Sequence, residues 1–415
     1  MKRISSRLLQ QTDTLFYHAE AAFLSDKLRS SHGPHLQPTE SINELEALLS
    51  TRPELGFTAR LSQLKLAIQD SSQQNAYIQK YGCIGVRRFF PKPGAKLYQL
   101  RIESFPTLIN NVMLIIDGPT RMLFDVGSGS EASVRDLDLA FAVLREIFDE
   151  DIRFDMLSHL VVSHAHIDHF GGLQHLSKRC NAKICVHKLD ARVITHFKQR
   201  VSEVIKALDG YLIQSGIEDA RRIELLSMYE ASKQWFDSQR VDVSLCDGDA
   251  IASDFGVIHV PGHCPGLICL QVGDILLTSD HILDRITPHQ FPQSITEYAG
   301  LDHYFASLDK VQKLEGVRLA LGGHEAPILD LSKRIDEIRA FHNKRLAQVL
   351  EICSESKTID EISQALFGQS EHYGRLLAIE EAGAHVEYLL TKGKLRVTDN
   401  IPTSNNPKTP TRYIA

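Results

Sequence analysis

The chain has 415 residues, 43% hydrophobic and 24% charged, with 46 basic against 52 acidic side chains and a formal net charge of −6. That composition describes a folded chain of two or three domains, argues against nucleic acid as a general partner, and contains no run near the ~20 apolar residues of a membrane-spanning helix. Seven cysteines without a C-x-x-C pair fit reduced thiols better than a disulfide framework, and the N-terminus lacks the apolar stretch of a secretory signal, so a cytoplasmic location is expected.

Residues 1–85 read as a helical extension. Leu8, Leu9, Leu15, Phe16, Ala19, Ala22 and Phe23 recur at helical spacing, Gly33, Pro34 and Pro38 interrupt it, and Leu45, Leu48, Leu49, Leu61, Leu64 and Ile68 resume it. From 86 to 330 the texture changes. VMLIID (112–117), RMLFDVG (121–127), HLVVSHAH (159–166), AKICVH (182–187), GVIHVPGH (256–263), LICLQVGDILLTSD (267–280) and RLALGGH (318–324) are short apolar runs that end in Gly, Pro, Asp or His, as strands ending in loops do. Helical patterns over 132–149 and 168–178 alternate with them, which predicts a layered α/β domain. A helical insert over about 190–240 interrupts the strands and carries the only tryptophan.

Residues 331–399 are helical again and end in a short strand. TIDEISQALFG opens with Thr358 and places Glu361 three residues on, a capping-box pattern. Three helices and a wing suggest a small winged-helix-like domain. Residues 400–415 read as a flexible tail.

The chemistry concentrates in Ser163-His164-Ala165-His166-Ile167-Asp168-His169. Three imidazoles and a carboxylate crowd into six residues, directly after a strand-like run and before a Gly-Gly helix start. Such a loop can aim several side chains at one point, and these are the ligand types of Zn²⁺ and other first-row metals. Three more residues of that kind stand at strand ends downstream: His263 in PGHCPG, Asp280 in LTSDH and His324 in GGHE.

Taken in this order, these motifs resemble those of the metallo-β-lactamase-fold hydrolase superfamily, over roughly residues 86–330. The resemblance implies a four-layer αββα sandwich with the site at one edge, here carrying the N-terminal helical extension and the C-terminal winged-helix-like domain. It assigns His164, His166 and His263 to one metal, Asp168, His169 and His324 to a second, and Asp280 to the bridge between them. The implied cofactor is two Zn²⁺ per chain, with Fe or Mn as alternatives. A hydroxide shared by the metals would fill the open position of a catalytic site, and Asp168 could orient it, which makes Asp168 and Asp280 the catalytic carboxylates. Asp125 in LFDVGSG matches the early strand-end aspartate; it either supports a ligand from behind or is simply a turn residue. Cys264 beside His263 is a supporting or packing residue.

The insert lies between two ligand motifs. In the resembling hydrolases such inserts cap the site, and Trp235 and Phe236 would then line a substrate pocket with His281 and Arg285; His289 falls in the same loop as these last two. The alternative is a packing extension or a homodimer surface. The C-terminal run resembles the winged-helix tail of a subgroup that includes hydroxyacylglutathione hydrolase-like proteins and lactamase-like single-strand endoribonucleases. Its last helix sets Arg375, Lys392 and Lys394 against Glu380, Glu381 and Glu387, with no cationic track for phosphates. The reading is a binuclear metal-dependent hydrolase whose metal-bridged hydroxide attacks an ester or thioester carbonyl of a small acyl substrate. An endoribonuclease or phosphodiesterase acting on single-stranded RNA, and a non-catalytic effector or interaction protein, are the alternatives.

Overall fold

The computed structural model describes residues 85–398 and 410–415, apart from 147, 253, 370 and 371, together with Tyr77 and Lys80. The helical stretches expected between Leu8 and Ile68 lie outside the described residues. The chain divides into two compact units. The first ends its main stretch at Val162 and adds His166–Ile184 and His324–Ala326; the second takes Ser163–Ala165, Cys185–Gly323 and Pro327–Ala415.

In the first unit, β1 (Val86–Phe89), β2 (Ala95–Phe105), β3 (Leu108–Asp117) and β4 (Thr120–Phe124) form an antiparallel meander. Along β2, half-buried Lys96, Arg101 and Glu103 flank fully buried Leu97, Leu100 and Ile102, the alternation of a strand with one covered face. Helix α1 (Glu131–Glu146) packs on β2 and carries the crossover to β5 (His159–Val162), which runs parallel to β4 as a crossover of this length requires. Leu137, Ala140, Phe141 and Leu144 form its buried stripe, and Glu131 and Arg145 sit in its first and last turns, where each sign suits the helix dipole. Strands β4 and β5 therefore end side by side, pairing Phe124 with Val161. The chain leaves them at the carboxyl ends of a parallel pair, where open α/β sheets hold their ligands. Short helices α2 (Ile167–Phe170) and α3 (Leu173–Leu176) follow β5.

In the second unit, the last residues of β6 (Lys183–His187) pair in parallel with β7 (Val243–Leu245). Between them lie α4 (Lys188–Thr195), α5 (Phe197–Gln214) and α6 (Asp219–Lys233), the expected helical insert. A sheet follows in the order β12-β11-β10-β9-β8, with β8 (Ala250–Ile251), β9 (Phe255–His259), β10 (Ile268–Val272), β11 (Ile275–Ser279) and β12 (Leu319–Gly322). Every residue of β11 and β12 is buried, as in parallel strands covered on both faces. The loop 280–300 and α7 (Leu301–Gln312) connect them.

Helices α8 (Leu331–Ile352), α9 (Ile359–Phe367) and α10 (His372–Thr391) belong to this same unit. The capping box forms as expected: Glu361 N–H donates to the Thr358 hydroxyl, and Thr358 N–H donates to the Glu361 carboxylate. Residues Arg375–Val386 of α10 are buried except half-buried Leu377, which makes it an internal helix. Of the tail expected over 400–415, the end returns to the unit. Strand β14 (Tyr413–Ile414) pairs with β13 (Arg396–Val397), Tyr413 is buried, and Ala415 N–H donates to the Cys353 carbonyl. Among the described residues no helix is long and apolar enough to cross a membrane.

Candidate metal centre

The boundary between the units falls inside the histidine motif, so each unit carries its own group of ligand-type side chains. In the first unit, Asp168, His169 and His324 bring ligand atoms within 4.8 Å of one another. His169 Nε2 lies 3.3 Å and His324 Nε2 3.4 Å from Asp168 Oδ2. The opposite ring nitrogens are held from behind. His169 Nδ1 donates to the buried Asp125 carboxylate at 2.8 Å, and His324 Nδ1 donates to the Ile109 carbonyl at 2.7 Å. Asn110 Nδ2 donates to both the side chain and the carbonyl of Asp168, at 3.2 and 3.1 Å. Burial alone would raise the Asp168 carboxyl, but His169 and His324 outweigh it and hold the group well below the usual carboxylate range. His166 caps α2 and its carbonyl accepts from the His169 and Phe170 amides.

In the second unit, His164 offers a ligand atom within 4.8 Å of one on His263 and one on Asp280. The two imidazoles meet edge to face at 5.3 Å, and His263 Nε2 is 3.9 Å from Asp280 Oδ2. Here too the far nitrogens are engaged: His164 Nδ1 with Ser163 Oγ at 2.9 Å, and His263 Nδ1 donating to the His289 carbonyl at 2.7 Å. Gly262 precedes His263 with φ +141°, and a Cβ there would fall 2.7 Å from the Tyr304 amide nitrogen. No side chain fits.

Asp125, Ser279 and Glu325 hold positive φ of 64°, 45° and 63°, a conformation non-glycine residues seldom adopt. Each stands beside a strand end or a ligand-type residue, where strain of this kind clusters at functional positions.

His169, His324 and His263 present Nε2 toward a carboxylate of their group and Nδ1 to a fixed partner, the arrangement of metal-ligating histidines. Nitrogen with carboxylate oxygen is also the donor set of zinc and its neighbours. The residues present therefore fit a first-row metal.

The other expected residues have these surroundings. Trp235 is 77% exposed, and half-buried Phe236 meets Phe197 edge-on. Arg285 is exposed beside Asp284. His281 is buried against Tyr304, and burial drives its imidazole down to about 3. The Cys264 thiol donates to Asp190 at 3.4 Å. Asp190 itself was not legible from spacing. Its buried carboxylate accepts from Ala165 N–H at 2.7 Å and Gly266 N–H at 2.9 Å, one residue from His164 and three from His263 in the chain.

Residues 106–324, more than half of the chain, match the family model described as the metallo-beta-lactamase superfamily, and that span closes on His324. The chain belongs to the metallo-beta-lactamase superfamily. Among solved structures it is similar to a metallo-beta-lactamase family protein from Thermus thermophilus, with 24% identity over 78% of this chain and 99% of that one and a TM-score of 0.62. It is also similar to a beta-lactamase domain protein from Burkholderia ambifaria, with 22% identity over 79% and 94% and a TM-score of 0.60. These likenesses show the superfamily's mixed α/β fold. No curated protein matches the chain. Members of the superfamily typically bind metal ions and are mostly metal-dependent hydrolases.

Proposed function

We propose that this chain is a binuclear metal-dependent hydrolase acting on the ester or thioester carbonyl of a small acyl substrate. One observation carries the reading: imidazoles in both units are held by Nδ1 and turn Nε2 toward a carboxylate. His164, His166 and His263 would hold one ion, Asp168, His169 and His324 the other, and Asp280 would bridge. Zinc suits these donors best, with iron or manganese as alternatives. Two such ions, when bound, polarise a substrate oxygen and acidify water.

The chain's own residues prepare that chemistry. Asp125 and the Ile109 carbonyl fix the ring orientation of His169 and His324. The two imidazoles keep Asp168 ionised, and Asn110 holds it in place. Asp168 is then a fixed anion beside the reacting group, able to orient a proton-bearing nucleophile.

Charge supports a carbonyl over a phosphodiester. The chain carries a net −6, and basic residues of the C-terminal helices are committed internally: Arg375 to Asp360, Arg345 to Glu381, and Arg334 to backbone carbonyls. A cationic track for a polyanion needs exposed Lys and Arg. The test is a panel of thioesters, esters, lactones and single-stranded RNA at several salt concentrations. The expected outcome is acyl hydrolysis with weak salt dependence, abolished in Asp280→Asn. Salt-sensitive RNA cleavage lost in that variant, with no acyl hydrolysis, would establish the phosphodiesterase instead.

A further inference from the structure

The loop 280–300 is gripped by the C-terminal helices. Arg334 of α8 donates to the carbonyls of Leu283, Arg285 and Ile286. Glu387 of α10 accepts from the Ser294 amide and hydroxyl. Between these two points, buried Glu381 of α10 accepts from Gln290 N–H at 2.7 Å and faces His289 Nδ1 at 3.3 Å.

The middle grip acts on a single peptide plane. Its N–H belongs to Gln290 and points at Glu381. Its C=O belongs to His289 and accepts from His263 Nδ1 at 2.7 Å. A peptide group is planar and stiff, so the carboxylate that fixes one edge fixes the other. A tilt of this plane would turn the carbonyl away from His263 and release its ring.

Glu381 is itself held. Arg345 donates to Oε1 at 2.8 Å. His385 Nδ1 donates to the Glu381 carbonyl, and His342 Nδ1 lies 3.1 Å from His385 Nε2. Burial would raise the Glu381 carboxyl, but His289 and His385 hold it well below the usual range. His342, Glu381 and His385 offer ligand atoms within 4.8 Å of one another. Arg345 and Gln290 each take one Glu381 oxygen, and the His385–Glu381 and His342–His385 contacts tie this stretch of α10 to α8.

We propose that Glu381 is a positioning residue for His263, acting through the 289–290 peptide. The C-terminal helices are thereby a working part of the metal centre. The inference rests on the reading of His263 as a ligand.

The test uses the full-length chain with Co²⁺ as the probe metal, reading affinity by chelator competition, the d–d absorption band and the thermal midpoint. Supporting groups behind a ligand are typically worth 10–100-fold in metal affinity. Glu381→Leu should therefore weaken one of the two Co²⁺ ions about tenfold and alter its band. Glu381→Gln keeps an acceptor for the Gln290 amide and should recover most of this. Ile379→Val, a buried α10 change that leaves the Glu381 carboxylate in place, should lower the midpoint with an unchanged band and affinity. A folded Glu381→Leu with wild-type affinity and spectrum would overturn the proposal. If Glu381→Leu does not fold, a folded Glu381→Ala with wild-type affinity and spectrum would do so. A wild-type chain that binds no Co²⁺ would refute the ligand reading, and this inference with it, before any variant is compared.

Discussion

Asp190→Ala isolates the support beneath the two histidine loops of the second unit. It removes the acceptor of the Ala165 and Gly266 amides and of the Cys264 thiol. A buried amide left without its partner costs about 1–3 kcal/mol, so the two together weigh about 2–6 kcal/mol against the folded state. One contribution opposes this. Burial pushes the Asp190 carboxyl up to about 6, against three bonds that lower it, and a rise of about two units is worth about 3 kcal/mol. The folded chain then binds more protons than the unfolded chain between about pH 4 and 6. This contribution to stability is full below that window and is lost as pH rises through it. Alanine abolishes both effects. The substitution should thus be costlier in acid, by about 1 kcal/mol at pH 5 relative to pH 7.5. The assay is urea unfolding of both proteins at the two pH values, with excess chelator so that metal linkage is removed. A cost under about 1 kcal/mol at pH 5, or one that grows with pH, would refute the reasoning.

Two further expectations concern the C-terminal helices. Gly383 lies in α10 where an added Cβ would collide with the Tyr211 hydroxyl, with Tyr211 Cζ at 2.9 Å and Pro292 Cγ at 3.1 Å. Gly383→Ala should destabilise by about 1–3 kcal/mol despite its better helix propensity. Adding Tyr211→Phe should restore part of that in a double-mutant cycle, and strict additivity of the two changes would contradict the packing account. His342 is buried, and burial followed by its neighbour His385 drives its imidazole down to about 3. Its contribution is complete above about pH 6.5 and is lost as pH falls toward 3. The unfolding midpoint of His342→Asn should therefore fall less steeply with acid than that of wild type; equal slopes would rule the linkage out.

Much of this architecture was legible because apolar runs broke off at ligand-type residues. VMLIID, RMLFDVG and HLVV became β3, β4 and β5, and the runs ending at His263, Asp280 and His324 became β9, β11 and β12. Motif order carried the superfamily before any geometry. Long-range pairing was not legible. Asn110, Asp190 and Glu381 act on partners 58, 76 and 91 residues away, and no local period encodes such contacts. A charge count over α10 does not show that Glu380 and Glu381 are buried, where, against the opposing effect of burial, they push the His289 imidazole up to about 9. Two adjacent carboxylates within the run LLAIEEAGA were the available signal, since buried carboxylates are almost always paired. The pairing of β2 with β3 went unread because Lys96, Gln99, Arg101 and Glu103 dilute its apolar positions.

Metal content tests the binuclear centre most directly. Full-length protein purified from metal-replete medium without chelator, and analysed for transition metals against chain concentration, should carry close to two ions per chain. Asp168→Ala, which removes the carboxylate facing both His169 and His324, should lose most of one. A wild-type chain that holds no transition metal under those conditions would contradict the central claim.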